Sequence, residues 1–343
     1  MNHHNSDKKP IDPIKRPRQR SGGRQKKQLN LSEQGSISQL AQLYLNQLAY
    51  KNYSNNTIEA RRKFLLFFIE WCELRELHNP QHITKRHIES YQQHLFKYRK
   101  ANDEPLAIET QRTRIGTIKD YFSWLVRSDY LPANPASEIE LPKQPRRLPQ
   151  QPFTLEQIKL LFSCVSLLSS HPHEIIRNRT ILELFYATGI RRAELAALQI
   201  TDIDYARKTL LVRQGKGKKD RIVPLLARTL NHLESYLKQA RSSFILHPQE
   251  QTLFIGNNGR AYHLEALSKL VRDCKKLAQI EKKGSCHLLR HSCATHMLEG
   301  GADIRYIQQL LGHEKLETTA IYTQVSITKL QEAHESSHPL AKE

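Results

Sequence analysis

From about Ser36 the chain sets apolar against polar positions with a helical period. Leu40, Leu43, Tyr44 and Leu48 recur at three- and four-residue spacing and predict a first helix. Asn56-Thr57 can cap a second, which carries Ile58, Phe64, Leu65, Phe68, Ile69 and Trp71. Thr84 opens a third, with Ile88, Tyr91 and Leu95 facing inward. A fourth runs from about Ile108 to Val126, with Ile115, Ile118, Phe122 and Leu125 on one face. Amphipathic helices of this kind bury their apolar stripes against one another, so a small four-helix bundle is expected over 34–130. Its outer faces are expected to carry Arg61, Arg62, Lys63, Lys85, Arg86, Arg112 and Arg114 as a basic rim.

The period then stops. Residues 131–152, LPANPASEIELPKQPRRLPQQP, hold six prolines and read as a semi-rigid, partly extended connector. Thr154 restarts helical patterning as an N-cap for LEQIKLLFSCV, and RTILELFYA (Arg179 to Ala187) is an apolar helix ending at Thr188-Gly189. KTLLVR (Lys208 to Arg213) and DRIVPL (Asp220 to Leu225) read as strands joined by the turn GKGKK. Thr252 to Ile255 is expected as another strand, closed by Asn-Asn-Gly before Arg260. Helices are expected at His263–Ala278, about Leu288–Glu299, Ile304–Leu311 and Leu316–Tyr322, and there are no internal repeats. The fold class is thus mainly α with a small antiparallel β-sheet (α+β), in two domains.

Charge narrows the partners. The 343 residues hold 53 Lys plus Arg against 34 Asp plus Glu, a net charge of +19. Such a surplus favours a polyanion, nucleic acid before anionic membrane, because neutralised phosphates release condensed counterions. Residues 1–33 are a Lys-, Arg-, Gln- and Pro-rich stretch with too few apolar side chains to order itself, and are expected to be a disordered basic arm. No apolar run reaches the roughly 18 residues of a membrane span, and the N-terminus lacks the apolar core of a secretory signal. A cytoplasmic, nucleoid-associated protein is the expectation. Cys72, Cys164, Cys274, Cys286 and Cys293 lack CxxC spacing and read as small buried hydrophobes.

Three short patterns carry candidate chemistry. GKGKK places Lys216 at a hairpin tip; it is no phosphate-cradling P-loop, because GxxxxGK[ST] is absent and a strand follows. In CHLLRHSCATH, His287 and Arg290 stand at i, i+3 on one helical face. A proton-transferring imidazole beside a guanidinium that grips phosphate bidentately suits phosphate chemistry. His313 follows in LLGH, and Tyr322 lies nine residues beyond it in TTAIYTQV. Tyr306 is a rival nucleophile, but it adjoins the apolar stripe of Ile307 and Leu310 and is expected in the core. Cys286, His287, His291, Cys293 and His296 fit no common zinc spacing, so no metal is assigned. Asp202 and Asp204 read as turn residues before a strand.

Together, ATGIRRAEL, GKGKKDRIVPL, HLLRHSCATHMLEGGADIRYIQQLLGH and TTAIY resemble the catalytic domain of tyrosine recombinases of the lambda-integrase and Xer type, in order and at compatible spacing. The helical segment and Pro-rich connector resemble that family's core-binding domain and interdomain linker. The resemblance implies a core-binding domain at 34–130, a catalytic domain at 153–327 and a tail at 328–343 that could dock on a neighbouring subunit. It implies catalytic roles for Arg191, Lys216, His287, Arg290, His313 and Tyr322. Glu194 would help orient the site, and Arg192 is the weaker candidate for the first arginine because the family's pattern is Gly-apolar-Arg. No cofactor or metal is implied.

The implied partner is double-stranded DNA carrying a specific recombination site, held by a homotetramer, with a related recombinase or accessory protein as a further possibility. Lys269, Arg272, Lys275 and Lys276 mark a helix expected to face the groove or backbone. The implied function is site-specific recombination through a 3′-phosphotyrosyl intermediate. The alternatives are a topoisomerase-like nicking-closing enzyme using the same tyrosine and a non-catalytic DNA-binding regulator.

Overall fold

The computed structural model describes residues 35–145, 150–213 and 220–312. The chain divides into two compact units, Met1–Arg146 and Arg147–Glu343.

The first unit is built from α1 (Ile37–Tyr50), α2 (Asn55–Glu73), α3 (Lys85–Lys97) and α4 (Ile108–Arg127). Short polar residues start them: the Ser36 hydroxyl accepts from Gln39 N, and the Ser54 hydroxyl from Thr57 N, each at 3.2 Å. The second helix therefore begins slightly earlier than Asn56-Thr57 suggested. Its core is aromatic, with Phe68 set edge-on to Tyr91 at 4.9 Å and Trp71 edge-on to Tyr91 at 5.4 Å. The Tyr121 hydroxyl donates to the Ile37 carbonyl at 3.1 Å, tying α4 to the start of α1. Leu131, Ala136 and Ile139 also bury themselves in this core. Lys119 Nζ donates to the Ile139 carbonyl at 2.7 Å, and Arg112 to the Pro142 carbonyl. The first part of the Pro-rich stretch is thus packed onto the bundle, because its few apolar residues are spaced to reach it.

The second unit runs through α5 (Leu155–Ser163), α6 (Pro172–Thr188), α7 (Arg192–Ala196), β1 (Ile203–Asp204), β2 (Thr209–Val212), β3 (Arg221–Pro224), α8 (Ala227–Ser235), α9 (Leu264–Leu277), α10 (Cys286–Glu299) and α11 (Ile304–Leu311). Pro172 at the first turn of α6 supplies a helix start well upstream of the expected Arg179. α6 is buried along much of its length, with Ile181, Leu182, Leu184 and Phe185 almost fully enclosed, and packs against both α8 and α10. The antiparallel sheet has the order β1-β2-β3, with Leu210 opposite both Ile203 and Val223. Leu210, Val212 and Val223 point into the core, as the period-2 alternation of a half-buried strand requires.

Two expectations about the sheet are corrected. Asp204 belongs to strand β1 rather than to a turn. Thr252–Ile255 is not a strand: it makes isolated bridges only, Gln199 with Thr252 and Ile255 with Ala261. Its carbonyls are instead taken by side chains, that of Thr252 by Arg241 Nη2 at 2.7 Å and that of Ile255 by Arg177 Nη1 at 3.0 Å. No helix among the described residues is long and apolar enough to cross a membrane. The expected arm over 1–33 and the helix Leu316–Tyr322 lie outside the described residues.

Candidate active site

The site is assembled where α6 ends. Gly189 adopts a left-handed conformation (φ 58°) that stops α6, and a Cβ there would lie 2.6 Å from Leu311 Cδ2, so any side chain would displace that leucine of α11. The turn delivers Arg191 to the N-cap of α7. Glu194, one turn on, reaches back: its Oε2 accepts from Arg191 N at 2.9 Å and its Oε1 from Arg191 Nη1 at 2.7 Å. A carboxylate is favoured there by the unpaired N–H groups and positive end of the helix.

Arg221, on β3, grips the same carboxylate as a fork, Nη1 to Oε1 at 2.9 Å and Nη2 to Oε2 at 2.7 Å. Burial alone would raise the Glu194 carboxyl, but the bonds from Arg221 and Arg191 overcome it and hold the group at about 2. It is therefore an anion at any working pH.

On α10, Arg290 is 2% exposed. Its Nη1 donates to the Gly189 carbonyl at 2.6 Å and its Nη2 to the Leu311 carbonyl at 2.7 Å. Arg191 Nη2 donates to the Gly312 carbonyl at 3.1 Å, and Arg221 Nε to that of Leu310 at 3.1 Å. Three arginines from three elements thus hold three successive carbonyls at the C-terminal end of α11, where a helix leaves acceptors unsatisfied and partial negative charge.

His287 sits on the first turn of α10, three residues before Arg290, with its side chain reaching solvent. Partial desolvation, then the charges of Arg290 and Arg191, lower its pKa from the usual histidine value. It is accordingly a neutral imidazole beside two cations, a form able to accept a proton. His291 on the same helix serves the connector, its Nε2 lying 2.7 Å from the Gln150 carbonyl.

The structure brings Arg191, Glu194, His287 and Arg290 into one neighbourhood. Arg192 turns away, its guanidinium on the Ser268 hydroxyl of α9. Lys216, His313 and Tyr322 lie outside the described residues. Tyr306 corrects an expectation: it is 70% exposed while Ile307 and Leu310 are buried, because it falls one residue off the inward stripe of α11. Arg221 carried no catalytic signature in the sequence, where it reads as one polar position of an alternating strand. The available signal was the pairing problem itself, since a buried Glu194 demands a cation.

Of the cations expected on outer faces, two are buried. Arg114 is 7% exposed, its guanidinium stacked 4.1 Å over the Phe67 ring. Lys275 is 9% exposed, and its Nζ donates to the carbonyls of Lys282 and of Gly284, the latter at 2.9 Å. Lys275 finds carbonyl partners, while Arg114 rests on an aromatic face with its Nε left without a hydrogen bond; periodicity alone reveals neither. Arg61 pairs with Asp120 at 2.8 Å, Arg62 with Gln42 at 2.8 Å, and Lys85 with Glu138 at 2.6 Å, while Arg112 holds Pro142. On α9, Lys269 pairs with Asp273 at 2.5 Å and Arg272 with Glu265 at 2.7 Å. Lys63, Arg86 and Lys276 are exposed.

Comparison with known proteins decides the family. Residues 153–329 match the model of the phage integrase family, and residues 40–131 that of the phage integrase N-terminal SAM-like domain. The chain belongs to the phage integrase family of tyrosine recombinases. It is 40% identical over 303 residues to tyrosine recombinase XerC 2 of Ralstonia nicotianae, covering 88% of this chain and 86% of that protein. It is 32% identical over 293 residues to tyrosine recombinase XerD of Halalkalibacterium halodurans, covering 85% of this chain and 94% of that one. This recombinase also shares its fold with XerH bound to difH (TM-score 0.67, 24% identity, 88% of this chain and 84% of that one). The same holds for a lambda integrase dimer bound to a core site (TM-score 0.65, 16% identity, 85% and 96%). Its activity is site-specific DNA recombination.

Proposed function

We propose that this recombinase cleaves DNA by attack of the Tyr322 hydroxyl oxygen on a backbone phosphorus. The new phosphorus–oxygen bond replaces the bond to the 5′ oxygen, and the product is a 3′-phosphotyrosine. His287, neutral and exposed, takes the tyrosine proton, and Lys216 gives one to the departing 5′ oxygen. Arg191 and Arg290 offset charge on the non-bridging oxygens as the pentavalent transition state forms, with His313 adding a hydrogen bond there. The ester conserves the energy of the broken bond, so a second 5′ hydroxyl can reverse the step, and neither metal nor ATP is consumed.

The observation that carries this reading is the convergence of Arg191 and Arg290 on the end of α11, with the α10 residue His287 under the influence of both charges. Residues 34–130 would act as the core-binding domain and 153–327 as the catalytic domain, with 131–152 joining them and 328–343 docking on a neighbour in a tetramer on double-stranded DNA. Lys63, Arg86 and Lys276 are the cations best placed to meet phosphate, within a nucleoid-associated role in the cytoplasm on a chromosome or mobile element.

The test uses end-labelled nicked duplexes whose central segment is randomised, incubated with the full chain in chelator and without ATP. A detergent-resistant protein–DNA adduct is expected, lost in Tyr322→Phe. Absence of adduct, or an adduct that survives Tyr322→Phe, overturns the mechanism. Relaxation of supercoiled plasmid without strand exchange between captured sites would instead favour the nicking-closing activity.

A further inference from the structure

Arg221 has no part in the chemistry above, yet its guanidinium is turned wholly onto protein acceptors. Its side chain is 11% exposed, and its Nε and both Nη nitrogens donate to protein acceptors: Leu310 and the two oxygens of Glu194. Each Glu194 oxygen receives two donors, one from Arg191 and one from Arg221. Without the Arg221 fork, Glu194 would be held by Arg191 alone and the pair could swing together. The backbone gives a second constraint. Gly312 is left-handed (φ 63°), and a Cβ there would stand 3.0 Å from Arg221 Cδ, so the chain leaving α11 passes directly against this side chain.

We infer that Arg221 is a positioning residue for strand cleavage: it locks Glu194, and through it Arg191, while pinning the end of α11, from which the chain continues to His313 and Tyr322. This rests on the roles proposed above for Arg191 and Tyr322. Arginine is required because a planar fork can satisfy both carboxylate oxygens while Nε still reaches a third acceptor; a lysine ammonium is a single point charge.

The same randomised nicked duplexes test it, read as the single-turnover rate of adduct formation. Arg221→Ala is expected to slow the rate by about 100-fold, the scale of a displaced catalytic group, and Arg221→Lys by roughly tenfold. Filter retention of the same DNA by Tyr322→Phe and by Tyr322→Phe/Arg221→Lys should be equal. The discriminating readout is a double-mutant cycle with Arg191→Lys. Arg221 acting through Arg191 predicts that Arg191→Lys/Arg221→Lys is little slower than Arg191→Lys alone, whereas an independent structural role predicts that the two losses multiply. If Arg221→Ala does not fold by its melting curve, the lysine cycle decides. Rates for Arg221→Lys within about twofold of the unaltered protein, or multiplying losses, overturn the inference. An unaltered protein that forms no adduct, or a Tyr322→Phe adduct, overturns the cleavage mechanism itself and is recognised before any Arg221 variant is compared.

Discussion

Two titratable side chains set how the site responds to pH. In the proposed cleavage His287 must be neutral to take a proton, and its lowered pKa keeps it so near neutrality. The rate of adduct formation should therefore rise with pH through a midpoint below the ordinary histidine value and be flat above it. His287→Ala should lower the plateau by about 10²-fold, a typical general-base contribution, and abolish that rise. A pH–rate profile of both proteins checks this. Glu194 acts in the same direction, but on stability. Its carboxyl is depressed from 4.5 to about 2 in the fold, so the stability it lends is present above its unfolded value and is lost as pH falls through the folded one. Melting temperatures should fall between pH 5 and pH 2 more steeply for the unaltered protein than for Glu194→Gln. At pH 7 the Gln variant should be less stable by roughly 3–5 kcal/mol, because two arginines lose a buried partner.

At the scale of elements, the end of α6 and the end of α11 are one construction. Gly189 stops the first helix, admits Leu311 and offers its carbonyl to Arg290. Gly189→Ala should cost about 1–3 kcal/mol from the strained φ and also slow adduct formation, measured by denaturant melts and adduct kinetics on one preparation. The elements most legible in the sequence were those whose apolar spacing alone determines burial: α1 to α4, the β2–β3 pair, and the i, i+3 pairing of His287 with Arg290. Arg191 and Glu194, taken from the family motifs, lie hydrogen-bonded to one another. What stayed hidden depends on partners distant in sequence. Thr252–Ile255 has strand-like residues, but its carbonyls are taken by Arg241 and Arg177. Arg114 and Lys275 look like surface cations until their neighbours are known, and Arg221 becomes significant only when folding sets it opposite Glu194. α8 was legible in principle from Leu230 and Leu233, three apart on one helical face.

For the whole molecule, charge and connection matter most. The +19 surplus predicts that DNA binding weakens steeply with salt, log K falling linearly with log salt concentration by about 0.9 per phosphate neutralised. Lys63→Ala, Arg86→Ala and Lys276→Ala should each reduce that slope by about one unit if they meet phosphate, and Arg114→Ala should leave it unchanged while lowering stability. Filter binding across a salt series reads both. The end of the connector is fastened to α10: Phe153 N donates to the Ser292 hydroxyl at 2.8 Å, one helical turn from Leu288, and His291 holds Gln150. The segment entering the second unit is therefore seated on α10, the helix that also carries His287 and Arg290.

The central claim is that one particular tyrosine, among thirteen in the chain, becomes joined to DNA. The most direct measurement is to trap the adduct on nicked duplex, digest the DNA and protein, and find by mass spectrometry which tryptic peptide carries the residual nucleotide. The expected product is the peptide 316–329, LETTAIYTQVSITK, modified at Tyr322. A nucleotide on the peptide containing Tyr306, or on any serine, would contradict it.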